Sequence, residues 1–215
     1  LEGFETMVHL TEENDFIVLE GDEYLSSPMD RRPKFHLYQP NIALISGIAW
    51  DHINVFPTYE NYVEQFEIFI KLITNGGILV YNEEDSEVKR VAEAASNPIR
   101  KLPYSTPSYR VENGVTLLKT PEGDMPIEVF GAHNLNNLAG AKWICQNMGI
   151  DEADFYEAIA SFKGASKRLE KIAESTTKVA YKDFAHSPSK VAATTKAVKE
   201  QYPNRALIAC LELHT

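Results

Sequence analysis

Three side chains close together in the sequence point to ligand chemistry that a folded core does not require. His133, Asn134 and Asn137 stand in the run Gly131-Ala132-His133-Asn134-Leu135-Asn136-Asn137. If that run opens a helix, spacings of three and four place all three near one face of its first turn. A first turn also carries unpaired backbone N–H groups and the positive end of the helix dipole. Carboxamides donate and accept at once, so two of them beside an imidazole suit a flat, nitrogen-rich ligand such as a purine. One Asn would be enough for a helix cap; His, Asn and Asn together are more than a cap needs.

Three other places carry candidate chemistry. Glu20 ends the apolar run Asp15 to Glu20, and His52 follows Asp51 just beyond a second apolar run. A carboxylate and an imidazole at neighbouring strand ends can share a divalent metal with phosphate oxygens and water. On spacing alone, an exposed Glu and a helix-capping Asp-His is the commoner arrangement. Arg168, after Gly164, suits a nucleotide phosphate, although a solvated Arg in Lys167-Arg168 is the commoner case. In Asp183-Phe184-Ala185-His186-Ser187-Pro188, Asp183 can accept from ribose hydroxyls and Phe184 can lie against a base. The helix start that follows favours an anion. A plain capped junction explains that turn equally well.

The elements that must position these groups alternate. Asp15–Glu20 and Asn41–Ile48 read as buried parallel strands whose carboxyl ends open on a crevice. Thr58 caps a helix in which Tyr59, Tyr62, Val63, Phe66, Phe69, Ile70 and Ile73 recur on one face. Asn75-Gly76-Gly77 stops it, with Gly76 at the C′ position. Gly77–Tyr81 is a third strand, and Ser86–Ala95 a short exposed helix. From Ile99 to Phe130 short alternating runs, Ser108–Glu112, Val115–Thr120 and Pro126–Phe130, are separated by Asn113-Gly114 and Glu122-Gly123, a hairpin signal. This predicts an antiparallel patch appended to the parallel sheet, followed by helices over 134–148 and 151–161. Past Gly164, strands at 169–174 and 178–183, a helix from Ser187-Pro188 to about Gln201 and a strand at 206–212 are expected.

Composition sets limits. The chain has 215 residues, is 44% hydrophobic and 24% charged, and carries a formal net charge of −10. That balance argues against a nucleic-acid polymer as partner, which requires a basic patch, but leaves room for a small phosphorylated ligand. No stretch approaches the ~20 apolar residues of a membrane span, and no signal peptide is visible, so a cytoplasmic enzyme is expected. Cys145 and Cys210 lie in apolar runs and read as reduced core thiols. The first residue is Leu1 and the last apolar run stops at Leu213; the chain reads as a piece of a longer one. The phosphate-loop pattern G-x-x-x-x-G-K-[ST] is absent, so in an ATP enzyme that loop is expected upstream of Leu1.

In order along the chain, Glu20-Gly21-Asp22-Glu23-Tyr24, Trp50-Asp51-His52, Gly131 to Asn137, Arg168-Leu169-Glu170, Lys182 to Lys190 and Glu212-Leu213-His214-Thr215 resemble the Mur ligase family. These are the ATP-dependent amide-forming enzymes of peptidoglycan metabolism. Within that family, Glu20–Tyr24 and Asp183–Lys190 look most like the branch that joins L-alanyl-γ-D-glutamyl-meso-diaminopimelate to UDP-N-acetylmuramate in peptidoglycan recycling. The branch that adds L-alanine to the same nucleotide sugar is close kin.

The resemblance implies an α/β fold. Residues 1–164 would be the later part of the central, parallel-sheet ATP-binding domain, and 165–215 the start of a Rossmann-like C-terminal domain. It implies ATP and Mg2+ as cofactors, with Glu20 and His52 on magnesium and His133, Asn134 and Asn137 on adenine. Arg168 would contact phosphate, Asp183 ribose, and His186 would lie near the nucleotide; His52 and Arg168 are the expected catalytic residues. Several family members carry a carbamylated lysine on the helix after Asp-His. Here that position is Phe66, as expected for the branch that uses UDP-N-acetylmuramate directly. The implied chemistry is attack of a substrate carboxylate on the γ-phosphate of ATP, then displacement of phosphate by an amine. A non-catalytic α/β nucleotide-binding module is the alternative of a different class.

Overall fold

The computed structural model describes residue 8 and residues 10–212. Three strands form a parallel sheet in the order β1 (Ile42–Ile45), β2 (Ile78–Asn82), β3 (Arg100–Tyr104). Register runs Ile42 to Ile78 and Ile78 to Arg100. The crossovers are α1 (Tyr59–Lys71) and α2 (Ser86–Ala94). The period of two along a strand sorts the sheet's side chains. Ala43, Ile45, Leu79 and Tyr81 face α1 and α2 with Ile70, Val88 and Val91. Val80 and Tyr104 face the other way, toward Ala139, with Ile78, Leu102 and Trp143 packed around them.

That other face is covered by α3 (Ala132–Asn147), which is itself covered on its far side. The strands β4 (Tyr109–Glu112), β5 (Val115–Thr120) and β6 (Gly123–Ile127) form a separate antiparallel sheet. Its Leu118 and Ile127 pack against Leu135 and Leu138 of α3 and Phe155 of α4 (Glu152–Ala160). Asn113 and Gly114, at φ 52° and 78°, make the turn between β4 and β5, as the dipeptide predicts. The last elements are a hairpin of β7 (Glu170–Glu174) and β8 (Val179–Lys182), then α5 (Pro188–Gln201). Phe130, Leu169, Ala197 and Tyr181 pack together there. At the other end of α5, Gln201 accepts from the buried Thr116 hydroxyl at 3.0 Å and donates to the Gly114 carbonyl at 2.6 Å.

Several expectations fail for physical reasons. Residues 15–20 form no strand; Phe16, Ile17, Val18 and Leu19 are exposed. A continuous apolar run becomes a strand only beside another strand that completes its backbone hydrogen bonds, and no described strand pairs with it. The run 206–212 is likewise irregular and exposed, so Cys210 is an exposed thiol and not a core one. Arg100–Tyr104, within the stretch read as wholly antiparallel, is the third parallel strand. The antiparallel strands are not an extension of the parallel sheet but a sheet of their own. Residues 128–130 lie outside any strand. The helix α1 ends at Lys71 with Leu72 as its C-cap, so Gly76 is not its C′ residue. The helix α2 is exposed on one side only, since Val88, Val91 and Ala92 are buried. The residues 213–215 of the last family-like stretch lie outside the described residues.

These packing differences make a direct forecast. Leu79→Ala, at a side chain with no exposed surface, should cost about 2–5 kcal/mol. Ile208→Ala, at a side chain 87% exposed, should change stability by less than about 0.5 kcal/mol. Urea unfolding of both variants checks this; an equal loss at both sites would mean that 206–212 is packed.

Candidate functional site

The five α-helices among the described residues begin in two different ways. The helices α1, α2 and α4 are capped by the side chains of Thr58, Asp85 and Asp151, and each has an acid in its first turn. The helices α3 and α5 have neither a side-chain cap bond nor a first-turn acid. Their first N–H groups and positive dipole ends are therefore unopposed. Gly131 precedes α3 at φ +88°, and a Cβ there would stand 2.4 Å from the Ala197 Cβ. Only glycine allows both that backbone turn and the close approach of α5.

The expected base-binding side chains have different surroundings. His133 is half-buried, and burial pushes its imidazole pKa down, an effect partly opposed by the charge of Asp183. It is neutral near pH 7, with one ring nitrogen donating and one accepting. The Asn134 amide donates to the Phe130 carbonyl at 2.9 Å, which leaves its carbonyl oxygen as the free end. Asn137 is exposed. Asn136, between them, is 7% exposed and turned into the protein.

Asp183 organises the facing turn. Its carboxylate accepts the backbone N–H groups of Leu169 and Ala185, both at 2.7 Å. The first bond sets Arg168 beside Phe184, with the guanidinium 5.6 Å from the ring centroid. His186 Nδ1 lies 2.9 Å from the Phe184 carbonyl, and the two rings meet edge to face at 5.2 Å. So His133, Asp183, Arg168, Phe184 and His186 share one neighbourhood at the head of α3, with a ring 54% exposed among polar groups. Chemically the set offers amide and imidazole groups for a flat polar ring, a carboxylate that accepts and a guanidinium that suits an anion.

The metal pair is placed differently. His52, at φ +54°, has its Nε2 3.5 Å from a Glu23 oxygen and its ring 5.0 Å from Tyr24. Glu20 is exposed, and its charge is felt by Lys34. Among the described residues no group of three or more His, Cys, Asp or Glu is placed to hold a metal. The described side-chain contacts of His52 are with Glu23 and Tyr24; a cation shared by Glu20 and His52 would draw its remaining ligands from phosphate oxygens and water. The loop is also tied to α5: Asp51 accepts from the His52 N–H at 2.8 Å and from Lys190 Nζ at 3.1 Å. Burial raises the Asp51 pKa, but these two partners outweigh it and leave the carboxyl below its usual range. Phe66 packs against Phe35 and Tyr62, ring centroids 5.5 and 5.2 Å away.

Sequence spacing missed Glu23, Lys190 and Asn136 as members of this region. Glu23 and Lys190 stand within family-like stretches but carry no spacing signal of their own. Asn136 sits in a polar run whose partners lie more than 25 residues away.

The His133 surroundings have a pH consequence. A base with its folded pKa below its unfolded one, 6.5, binds fewer protons when folded, so stability falls as pH drops through that value. His133→Gln should lose less stability than the wild type between about pH 7 and pH 5. Chemical denaturation at both pH values measures this; identical losses would place a solvated imidazole at 133.

A profile described as "Mur ligase middle domain" matches residues 3–145. UDP-N-acetylmuramate–L-alanyl-γ-D-glutamyl-meso-2,6-diaminoheptandioate ligase of Escherichia coli (strain K12) is 29% identical over 98% of this chain and 48% of its own length. UDP-N-acetylmuramate–L-alanine ligase of Roseiflexus sp. (strain RS-1) is 24% identical over 93% of this chain and 47% of its own. The chain thus spans about half the length of these curated relatives. Among solved structures, MurF from Acinetobacter baumannii superposes with a TM-score of 0.63 at 18% identity, over 75% of this chain and 38% of its own. The corresponding diaminopimelate-peptide ligase (MPL) from Neisseria meningitides does so at 0.56 and 20%, over 68% and 48%. With two thirds of its length matched by the family profile, and with the α/β architecture of those neighbours, this chain belongs to the Mur ligase family.

Proposed function

We propose that this chain is the nucleotide-side portion of an ATP-dependent carbon–nitrogen ligase that extends UDP-N-acetylmuramate. The observation that carries the reading is the placement of the Asp183–His186 turn, from beyond Gly164, against the bare first turn of α3 with His133 between them. In this reading residues 1–164 belong to the central ATP-binding domain and 165–215 begin the C-terminal one. His133, Asn134 and Asn137 hold adenine, Asp183 the ribose, Arg168 a phosphate, and His186 lies beside the nucleotide. Magnesium comes with the ATP phosphates; of the two residues expected to bind it, Glu20 and His52, only His52 stands in the Asp51–Lys190 contact region.

The substrate carboxylate attacks the γ-phosphate, and the incoming amine then displaces phosphate. This chain's own residues serve by positioning. The acceptor proposed is L-alanyl-γ-D-glutamyl-meso-diaminopimelate, which the Escherichia coli relative's name and the Asp183–Lys190 motif support, and the work would be peptidoglycan recycling in the cytoplasm. The L-alanine-adding reading is supported by the names of several other relatives.

No phosphate loop is present in the 215 residues, and base contacts alone rarely bind tightly once phosphates are unheld. Calorimetry with ATP and magnesium should show no tight binding and no turnover by this chain. A chain extended upstream through a strand and phosphate loop should bind, and should release phosphate faster with the tripeptide than with L-alanine. Tight binding or turnover by this chain alone would overturn the reading of its architecture; faster release with L-alanine would overturn the acceptor.

A further inference from the structure

The head of α3 is held by a polar network that none of the nucleotide roles uses. The Asn136 amide nitrogen lies 3.2 Å from each of three acceptors: Asn82 Oδ1, Glu84 Oε2 and Thr106 Oγ1. Its two hydrogens are shared among the three. The Thr106 hydroxyl donates to the same Glu84 oxygen at 2.6 Å. The Asn82 amide donates to the Ser46 carbonyl at 3.0 Å, and Asn82 Oδ1 also accepts the Glu84 N–H at 3.0 Å. Asn82 and Asn136 are 8% and 7% exposed. The network thus joins the carboxyl ends of β1, β2 and β3 to one side chain on the second turn of α3.

That side chain sits between the groups proposed to hold the base. Asn136 is buried against the sheet edge, whereas the adjacent Asn137, about 100° round the helix, stays exposed. The apolar contacts of α3 with both sheets hold its body in place; the polar network adds a directional restraint at its head. A buried donor with fixed acceptors supplies it, since turning the helix would leave that donor unpaired at the full cost of desolvation.

We infer that Asn136 and Glu84 are positioning residues that set the rotation of the first turns of α3, and through it the aim of His133 and Asn137 at the nucleotide. The inference rests on the nucleotide reading above for its functional half only. Asn136→Leu keeps the volume and removes the donor. Glu84→Gln keeps an oxygen that accepts from Thr106 and Asn136, whereas Glu84→Ala does not.

The first arm is hydrogen exchange on this chain. In Asn136→Leu and Glu84→Ala, the backbone amides of 135–138 should exchange roughly tenfold faster or more, with α1 unchanged, and Glu84→Gln should stay near the wild type. No change at 135–138, or an equal increase in α1, would overturn the clamp. The second arm is steady-state kinetics on the upstream-extended chain. Asn136→Leu should raise KM for ATP by roughly 10- to 100-fold, with kcat much less affected, and Glu84→Gln should restore most of that loss relative to Glu84→Ala. A raised exchange rate with an unchanged KM would show that the clamp does not aim the nucleotide groups and would overturn the inference. If wild-type extended chain proves to have no ATP dependence, the nucleotide reading fails while the exchange arm still decides the clamp.

Discussion

The helix α3 has no free side. One face packs on Val80 and Tyr104 of the parallel sheet, the other on Leu118 and Ile127 of the antiparallel sheet. Its head meets α5 through Gly131 and Ala197. A Cβ at Gly140 would lie 3.0 Å from both Leu44 and Tyr104, so the first sheet approaches the helix backbone closely where that glycine sits. Everything that assembles the candidate site hangs on this one wedge. Both sheets and α5 pack on a single sixteen-residue helix, and its head is where α5 meets it.

The helix packs apolar residues against both layers yet carries polar ones at its head and tail. The structure divides the polar residues by task. Asn134 spends its amide on the preceding turn and Asn136 on the sheet edge, while Asn137 and His133 remain at the surface of the crevice. The same division holds for the carboxylates. Asp85 caps α2 and also accepts the Ile48 N–H, Asp183 shapes the turn that carries Phe184, and Asp51 ties its loop to Lys190. An acidic protein thus gathers Arg168 and Lys190 near two helix starts without side-chain caps. That arrangement favours a small anion locally while the overall charge of −10 disfavours a polyanion.

Local signals were legible wherever the physics was local. Thr58 as a cap, Asn113-Gly114 as a hairpin turn, Ser187-Pro188 as a helix start and strands near β7 and β8 all follow from residues within a few positions of one another. The run 131–137 does open a helix, with His133 and Asn134 in its first turn and Asn137 in its second. The strands that failed, 15–20 and 206–212, failed because a strand is a relation between two segments. Hydrophobicity states that a run wants burial, not what will lie beside it. Arg100–Tyr104 shows the converse: Arg, Lys and Pro hide a strand that the edge of a parallel sheet accepts.

The sequence by itself determined the turns, the helix ends, the apolar faces and the ordered set of motifs that marks the family. Residue types also singled out the candidate groups: an imidazole, amides, a guanidinium and a carboxylate, whose hydrogen-bonding inventory can be read from the sequence. Only the tertiary structure decided which of those groups stand together. It set Glu23 rather than Glu20 against His52, joined Asp51 to Lys190 across 139 positions, and turned Asn136 inward beside Asn137. The reason is the same each time. A pairwise contact between distant segments depends on how the layers between them pack, and no local pattern carries that distance.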